Sequence, residues 1–277
     1  KAWIEMIHRY LATGVGVLIM VLAWLTWRQR RHLPVSPLWP ALTLVWVCVQ
    51  GAFGALTVTI KLFPAIVTLH LLFGLGLLAL LRVQAVQYAR ADQAWPMVAL
   101  PRTSVWALWG VFALLWVQIA LGGWVSTNYA VLACPDFPTC HGQWWPQTDW
   151  QGFVLWRELG HTPTGEPLTF AALATIHYVH RTMAWLVLGV LLALGWKLRS
   201  ADGLQRQGRL LLGLCLLQFI SGLSNVVLDW PLLAAVLHTG GAAALVVVMT
   251  WTLAASRVLP LCTTSPASAT LTRHSLS

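Results

Sequence analysis

The chain has 277 residues, 58% of them hydrophobic and 9% charged, with a mean hydropathy of +0.72. Soluble domains carry about 25% charged residues, so an ordinary water-soluble globule is excluded, and so is a disordered chain. Seventeen Lys and Arg against eight Asp and Glu give a net charge of +9. The basic residues are separated by long apolar runs, which excludes a nucleic-acid surface and points to a bilayer.

Seven apolar stretches reach the roughly 20 residues that a membrane-crossing helix needs: 5–27, 39–60, 64–86, 104–125, 170–196, 209–228 and 231–255. They are continuous rather than alternating, which rules out a β-barrel. The eighteen tryptophans suit two bilayer interfaces. The first stretch opens on Glu5-Met6-Ile7-His8-Arg9 and ends on Arg28, Arg30 and Arg31, a charge order opposite to that of a signal peptide. The second carries Gln50-Gly51-Ala52-Phe53-Gly54, and the third runs from Pro64 through His70. After the fourth comes a long connection holding Cys134-Pro135-Asp136-Phe137-Pro138-Thr139-Cys140. The fifth contains His177 and Val179-His180-Arg181, the sixth Gln218-Phe219-Ile220-Ser221-Gly222, and Pro231 and His238 open the seventh. The Ser/Thr-rich tail over 261–277 is expected to be disordered.

Twelve Lys and Arg fall in the 28–31, 82–102 and 197–209 connections and the tail, whereas the other connections hold only Lys61 and Arg157. The positive-inside rule therefore puts the tail in the cytoplasm and the 126–169 loop outside it. Disulfides persist there, and a small Cys134–Cys140 bridged loop is expected. Cys48, Cys215 and Cys262 are isolated and read as inert.

The chain repeats itself. Gln50 to His70 and Gln218 to His238 are both 20 residues, and Ile7-His8-Arg9 is echoed by Val179-His180-Arg181. The two copies run in the same direction, unlike inverted-repeat transporters. The fourth stretch has no counterpart in the first copy, so the repeat predicts a pair of four-helix bundles whose first helix lies upstream of residue 1. The expected fold is an all-α polytopic membrane protein with seven transmembrane helices present. Its expected units are a half-bundle over 1–101, a four-helix bundle over 102–260, and the 261–277 tail.

Ionisable residues inside membrane helices default to a functional role. His8, His70, His180 and His238 sit in the outer half of their helices, with His70 and His238 roughly 10 Å in. Two neutral imidazoles facing one another across a helical bundle suit axial ligation of a heme iron, and nearby glycines leave space for a flat macrocycle. The plainer alternative is interhelical hydrogen bonding. Zinc is disfavoured because each copy offers two clear ligands rather than four. Glu5 shares a helix face with His8, either beside the ligand or as a residue favoured by the helix dipole. No carboxylate accompanies His180, so the two sites read as one reactive and one not. Arg9 and Arg181 suit heme propionates or lipid headgroups. His177 is a weaker ligand candidate.

These segments together, from Glu5 through His8, Pro64 through His70, Cys134 through Cys140, Val179 through Arg181 and Asn225 through His238, resemble the heme A synthase family. The resemblance covers nearly the whole chain to about residue 256. It implies an eight-helix membrane enzyme in two four-helix halves that oxidises one methyl of heme O to the formyl group of heme A for cytochrome oxidase assembly. The implied course is two successive oxidations to a geminal diol, which loses water to the aldehyde. By the same resemblance His8 and His70 bind the substrate heme, His180 and His238 hold a resident heme b, and Glu5 is the essential carboxylate. The family's first helix and the outer loop after it are absent, which would leave the substrate side open. Implied partners are the bilayer, heme O synthase, an electron acceptor such as a quinone, and a homo-oligomeric copy, with no nucleic acid. The implied location is a bacterial cytoplasmic (inner) membrane. Two other classes use similar histidines: a non-catalytic diheme b-type cytochrome, which has no need of Glu5, and a heme chaperone or exporter. Heme O synthase itself is disfavoured by the lack of an Asp-rich Mg²⁺-diphosphate motif.

Overall fold

The computed structural model of the chain describes residues 2–33, 35–92 and 97–258; the tail expected over 261–277 lies outside the described residues. Seven helices are each long and apolar enough to cross a membrane: α1 (Ala2–Arg28), α2 (Leu38–Thr59), α3 (Pro64–Ala91), α4 (Arg102–Thr127), α5 (Phe170–Leu198), α6 (Gln205–Val227) and α7 (Leu232–Ala255). Several outrun the apolar stretches by a few residues because their last turns, such as Gln87–Ala91, are polar yet still helical. Two three-residue strands, β1 (Val98–Leu100) and β2 (Ser256–Val258), pair in parallel and join the start of α4 to the end of α7. They were not expected, because strands this short at the margins of apolar runs leave no periodic trace.

Local chemistry sets the helix ends. Pro64 opens α3, where its missing N–H costs nothing. The Thr169 hydroxyl accepts from the Ala172 N–H at 3.0 Å and so caps α5. The C-terminal ends of α2, α4 and α6 close in one way. Leu62 N–H donates to the Thr57 carbonyl, Ala130 to Val125 and Trp230 to Asn225, each at 3.0 Å. This is the Schellman bond that satisfies a terminal carbonyl. It is made without glycine: Lys61, Leu62, Tyr129, Asp229 and Trp230 all have φ between 53° and 59°. Each such residue costs about 1–2 kcal/mol, a cost the packed helix pairs on either side offset.

Helices α4, α5, α6 and α7 form a closed ring, each packing on the next and α7 returning to α4. Leu115, Leu191, Leu211, Leu245 and Met249 fill its core. Helix α3 docks outside this ring against α4 and α7, α2 packs on α3, and α1 packs on α2. A hydroxyl pair between Thr26 and Tyr88, 3.1 Å apart, ties α1 to α3. Among the described residues of α1 only Ile19 and Thr26 are buried. The protein is an integral membrane protein, and the apolar faces it leaves uncovered are those a bilayer solvates.

Candidate functional site

Three of the four sequence-predicted histidines are seated alike. The Gln50 amide nitrogen donates to the His70 carbonyl at 3.0 Å. Gln218 donates to the His238 carbonyl at 2.9 Å, and Gln118 to that of His180 at 3.2 Å. Four residues on from each glutamine stands a glycine against which the imidazole lies. A methyl added at Gly54, Gly122 or Gly222 would come within 3.0, 3.0 or 3.1 Å of the histidine Cε1. Helical geometry explains the spacing, since positions i and i+4 share a face. The glutamine thus fixes the height of the neighbouring helix while the glycine makes room for its ring. The Schellman carbonyls at 57, 125 and 225 follow three residues later. The pairs α2–α3, α4–α5 and α6–α7 are therefore copies of one hairpin, the middle one interrupted by the long outer loop.

His180 and His238 line one cavity of about 700 Å³ inside the ring, within the size range of cofactor pockets. Its wall is mostly apolar, and Leu71 and Leu75 of α3 contribute to it from outside. Three buried polar atoms on this wall lack a hydrogen-bond partner: Gln118 Oε1, His177 Nδ1 and Asn225 Oδ1. An apolar cavity with two histidines and unpaired polar atoms on its wall fits a heme held by those histidines. Among the described residues, no three or more His, Cys, Asp or Glu converge as a metal cluster would require.

The first half is more open. His70 is half-buried, whereas Glu5, His8 and Arg9 are exposed on α1. The Arg9 guanidinium donates to Glu5 Oε1 at 2.7 Å, with the two side chains 54% and 61% exposed.

The outer loop closes over the ring. Cys134 and Cys140 form a disulfide, both fully buried. Arg181 reaches from α5 to the carbonyls of Pro138 at 3.2 Å and Thr139 at 3.0 Å while also lining the cavity. The side chain predicted to meet propionates or headgroups thus also clamps the bridged loop. Asp136 accepts from the Thr139 hydroxyl and from the N–H groups of His141 and Gly142. The Thr139 hydroxyl is the main cause that pushes the Asp136 carboxyl down to about 2. The Thr169 hydroxyl likewise lowers Asp149. Arg157, 2% exposed, donates to Asn128 Oδ1 at 2.5 Å and to the Gly152 carbonyl at 2.8 Å. Burial lowers its pKa.

The family model of the cytochrome oxidase assembly protein COX15-CtaA matches residues 1–250. The chain belongs to the COX15-CtaA family. The heme A synthase of Shewanella oneidensis is 37% identical over 256 residues, which cover 90% of this chain and 74% of that protein. The heme A synthase of Halalkalibacterium halodurans is 28% identical over 242 residues, covering 85% and 73%. That of Alkalihalophilus pseudofirmus is 27% identical over 246 residues, with the same coverage. The COX15-CtaA chain is thus an enzyme of the heme A synthase family. Its relatives do not favour the non-catalytic cytochrome or the exporter.

For this COX15-CtaA protein the sequence reading missed Gln118, Gly122 and Ser221 as site residues. The signal was present. Gln118-x-x-x-Gly122 repeats the spacing of Gln50 and Gly54 and of Gln218 and Gly222. Gly122 and His180 are 58 residues apart rather than 16, and that separation hid the match.

Proposed function

We propose that this heme A synthase oxidises one methyl of heme O to a formyl group in the bacterial inner membrane, using the two halves of the chain differently. The half over 1–101 binds heme O through His8 and His70, and the half over 102–260 holds heme b between His180 and His238. A bound heme b supplies one-electron redox chemistry at the iron. The observation that carries this reading is the pair His180 and His238 on one cavity of about 700 Å³ inside a closed four-helix ring, with His70 seated in the same way as both.

The chain's own residues orient the substrate and manage charge. His70 is fixed by Gln50 and Gly54, so a substrate iron bound to it has a set height on α3. Glu5 lies one turn from His8 on α1. Its carboxylate stabilises positive charge that develops near the substrate methyl or takes up the proton released there. Arg9 donates to that carboxylate and orients it. Arg181 joins the bridged loop to the wall of the His180–His238 cavity, where a propionate would meet its guanidinium. Heme O synthase supplies the substrate, and a membrane electron acceptor such as a quinone takes the electrons. The distribution of Lys and Arg supports a cytoplasmic C-terminus and an outer 126–169 loop.

Coexpression of the full-length protein with a source of heme O, followed by extraction and identification of the hemes, tests the reading. Appearance of heme A supports it. Full occupancy by heme B without heme A rejects it.

A further inference from the structure

The ring nitrogens of the two cavity histidines are not equivalent in their surroundings. Ser221 Oγ donates to the Leu217 carbonyl at 2.7 Å and lies 3.1 Å from His238 Nδ1. A hydroxyl has one proton. With that proton committed to Leu217, the oxygen can only accept from His238, so Nδ1 carries the hydrogen and Nε2 keeps a free lone pair. On the other side of the cavity the Gln118 amide lies 3.1 Å from His180 Nδ1, and its Oε1 is buried without a partner. The same amide N–H donates to the His180 carbonyl at 3.2 Å, so turning the amide over would break that bond, and Gln118 offers His180 no acceptor of the Ser221 kind. The position matching Ser221 is Phe53 in the first hairpin and Leu121 in the second, so the hydroxyl lock belongs to His238 alone.

We propose that Ser221 is a positioning residue that holds His238 as an Nδ1–H imidazole presenting Nε2 to an iron, with Gly222 setting the ring plane. The proposal rests on the reading of these histidines as heme ligands. An acceptor on Nδ1–H raises the basicity of Nε2 and fixes the ring. The hydroxyl therefore sets the reduction potential of an iron held by His238 and the orientation of that ring, not merely the stability of the bundle.

The test uses the full-length, heme-loaded protein purified in detergent, with heme content, reduction potential and the low-spin electron paramagnetic resonance signature measured together. Ser221→Ala is expected to keep heme and to shift the potential upward, because the ligand loses its acceptor. Ser221→Thr keeps the hydroxyl and restores the parent values. Gly222→Ala forces the His238 ring to turn and changes the resonance signature. Loss of heme from Ser221→Ala that Ser221→Thr restores also supports the proposal. Parent potential and parent signature in Ser221→Ala overturn it. The underlying ligand assignment is judged separately: a full heme complement in both His180→Ala and His238→Ala overturns that reading.

Discussion

Glu5 tests at a single residue whether a carboxylate is structural or reactive. Its ion pair with Arg9 is more than half exposed, and an i,i+4 pair of that kind contributes about 0.3–0.5 kcal/mol. A group that stabilises charge in the reaction is worth several kcal/mol, on the order of a hundredfold or more in rate. Glu5→Gln keeps the shape and loses the charge. The expected result is retained heme b with the heme A to heme O ratio of extracts reduced at least that far. Heme A made at the parent rate would remove Glu5 from the reaction. His70→Ala should give a distinct outcome, a full heme b complement without bound heme O, read from heme extracts of the purified protein.

Two elements outside the histidine seats carry their own expectations. The outer loop is held by a disulfide, by Arg157 and by Asp136. Neither Cys134 nor Cys140 should react with an alkylating agent until a reductant is added, which mass analysis reads directly; losing so short a closure should cost about 2–3 kcal/mol at most. Arg157→Met removes charged hydrogen bonds to Asn128 and Gly152 and should lower stability by about 1.5–3 kcal/mol, seen as earlier thermal unfolding in detergent. Asp136 has its pKa depressed in the folded loop. Its contribution is present above the ordinary carboxylate pKa near 4 and is lost as pH falls toward about 2. Protease cleavage within 134–142 should therefore rise across that interval and stay flat above it. Helices α5 and α6 meet at Gly208, where an added methyl would strike the backbone of Leu198 and Arg199. Gly208→Ala should force the two helices apart and lower the yield of folded protein, since small residues permit such close crossings.

For the whole molecule, much of the architecture was legible because the bilayer imposes length and hydropathy on every span. The seven stretches each became a helix. The histidine positions were legible for the same reason, since a titratable residue in an apolar run is conspicuous. What could not be read was the partner of each histidine. The Gln118 amide meets His180 across 62 residues, and sequence spacing carries no information about contacts made over an inserted loop. The role of Arg157 was hidden too. It counted as one of two basic residues on the outer side, yet it is buried in the loop and paired with neutral oxygens rather than a carboxylate.

The β1–β2 pair has a consequence for chain connectivity. It lays the start of α4 beside the end of α7, so the four-helix ring begins and ends at one point on its rim. A unit whose ends adjoin tolerates cutting and rejoining of the chain. The segment from residue 97 onward should therefore assemble when coexpressed with residues 1–92 as a separate polypeptide. The two pieces should copurify, because α3 supplies Leu71 and Leu75 to the wall of the His180–His238 cavity. A permuted gene that joins residue 258 to residue 98 by a linker of about a dozen residues, the crossover that parallel strands need, and opens the ring within the long loop near Gly165 instead, should also insert and fold, with its hemes extracted and compared with those of the uncut protein.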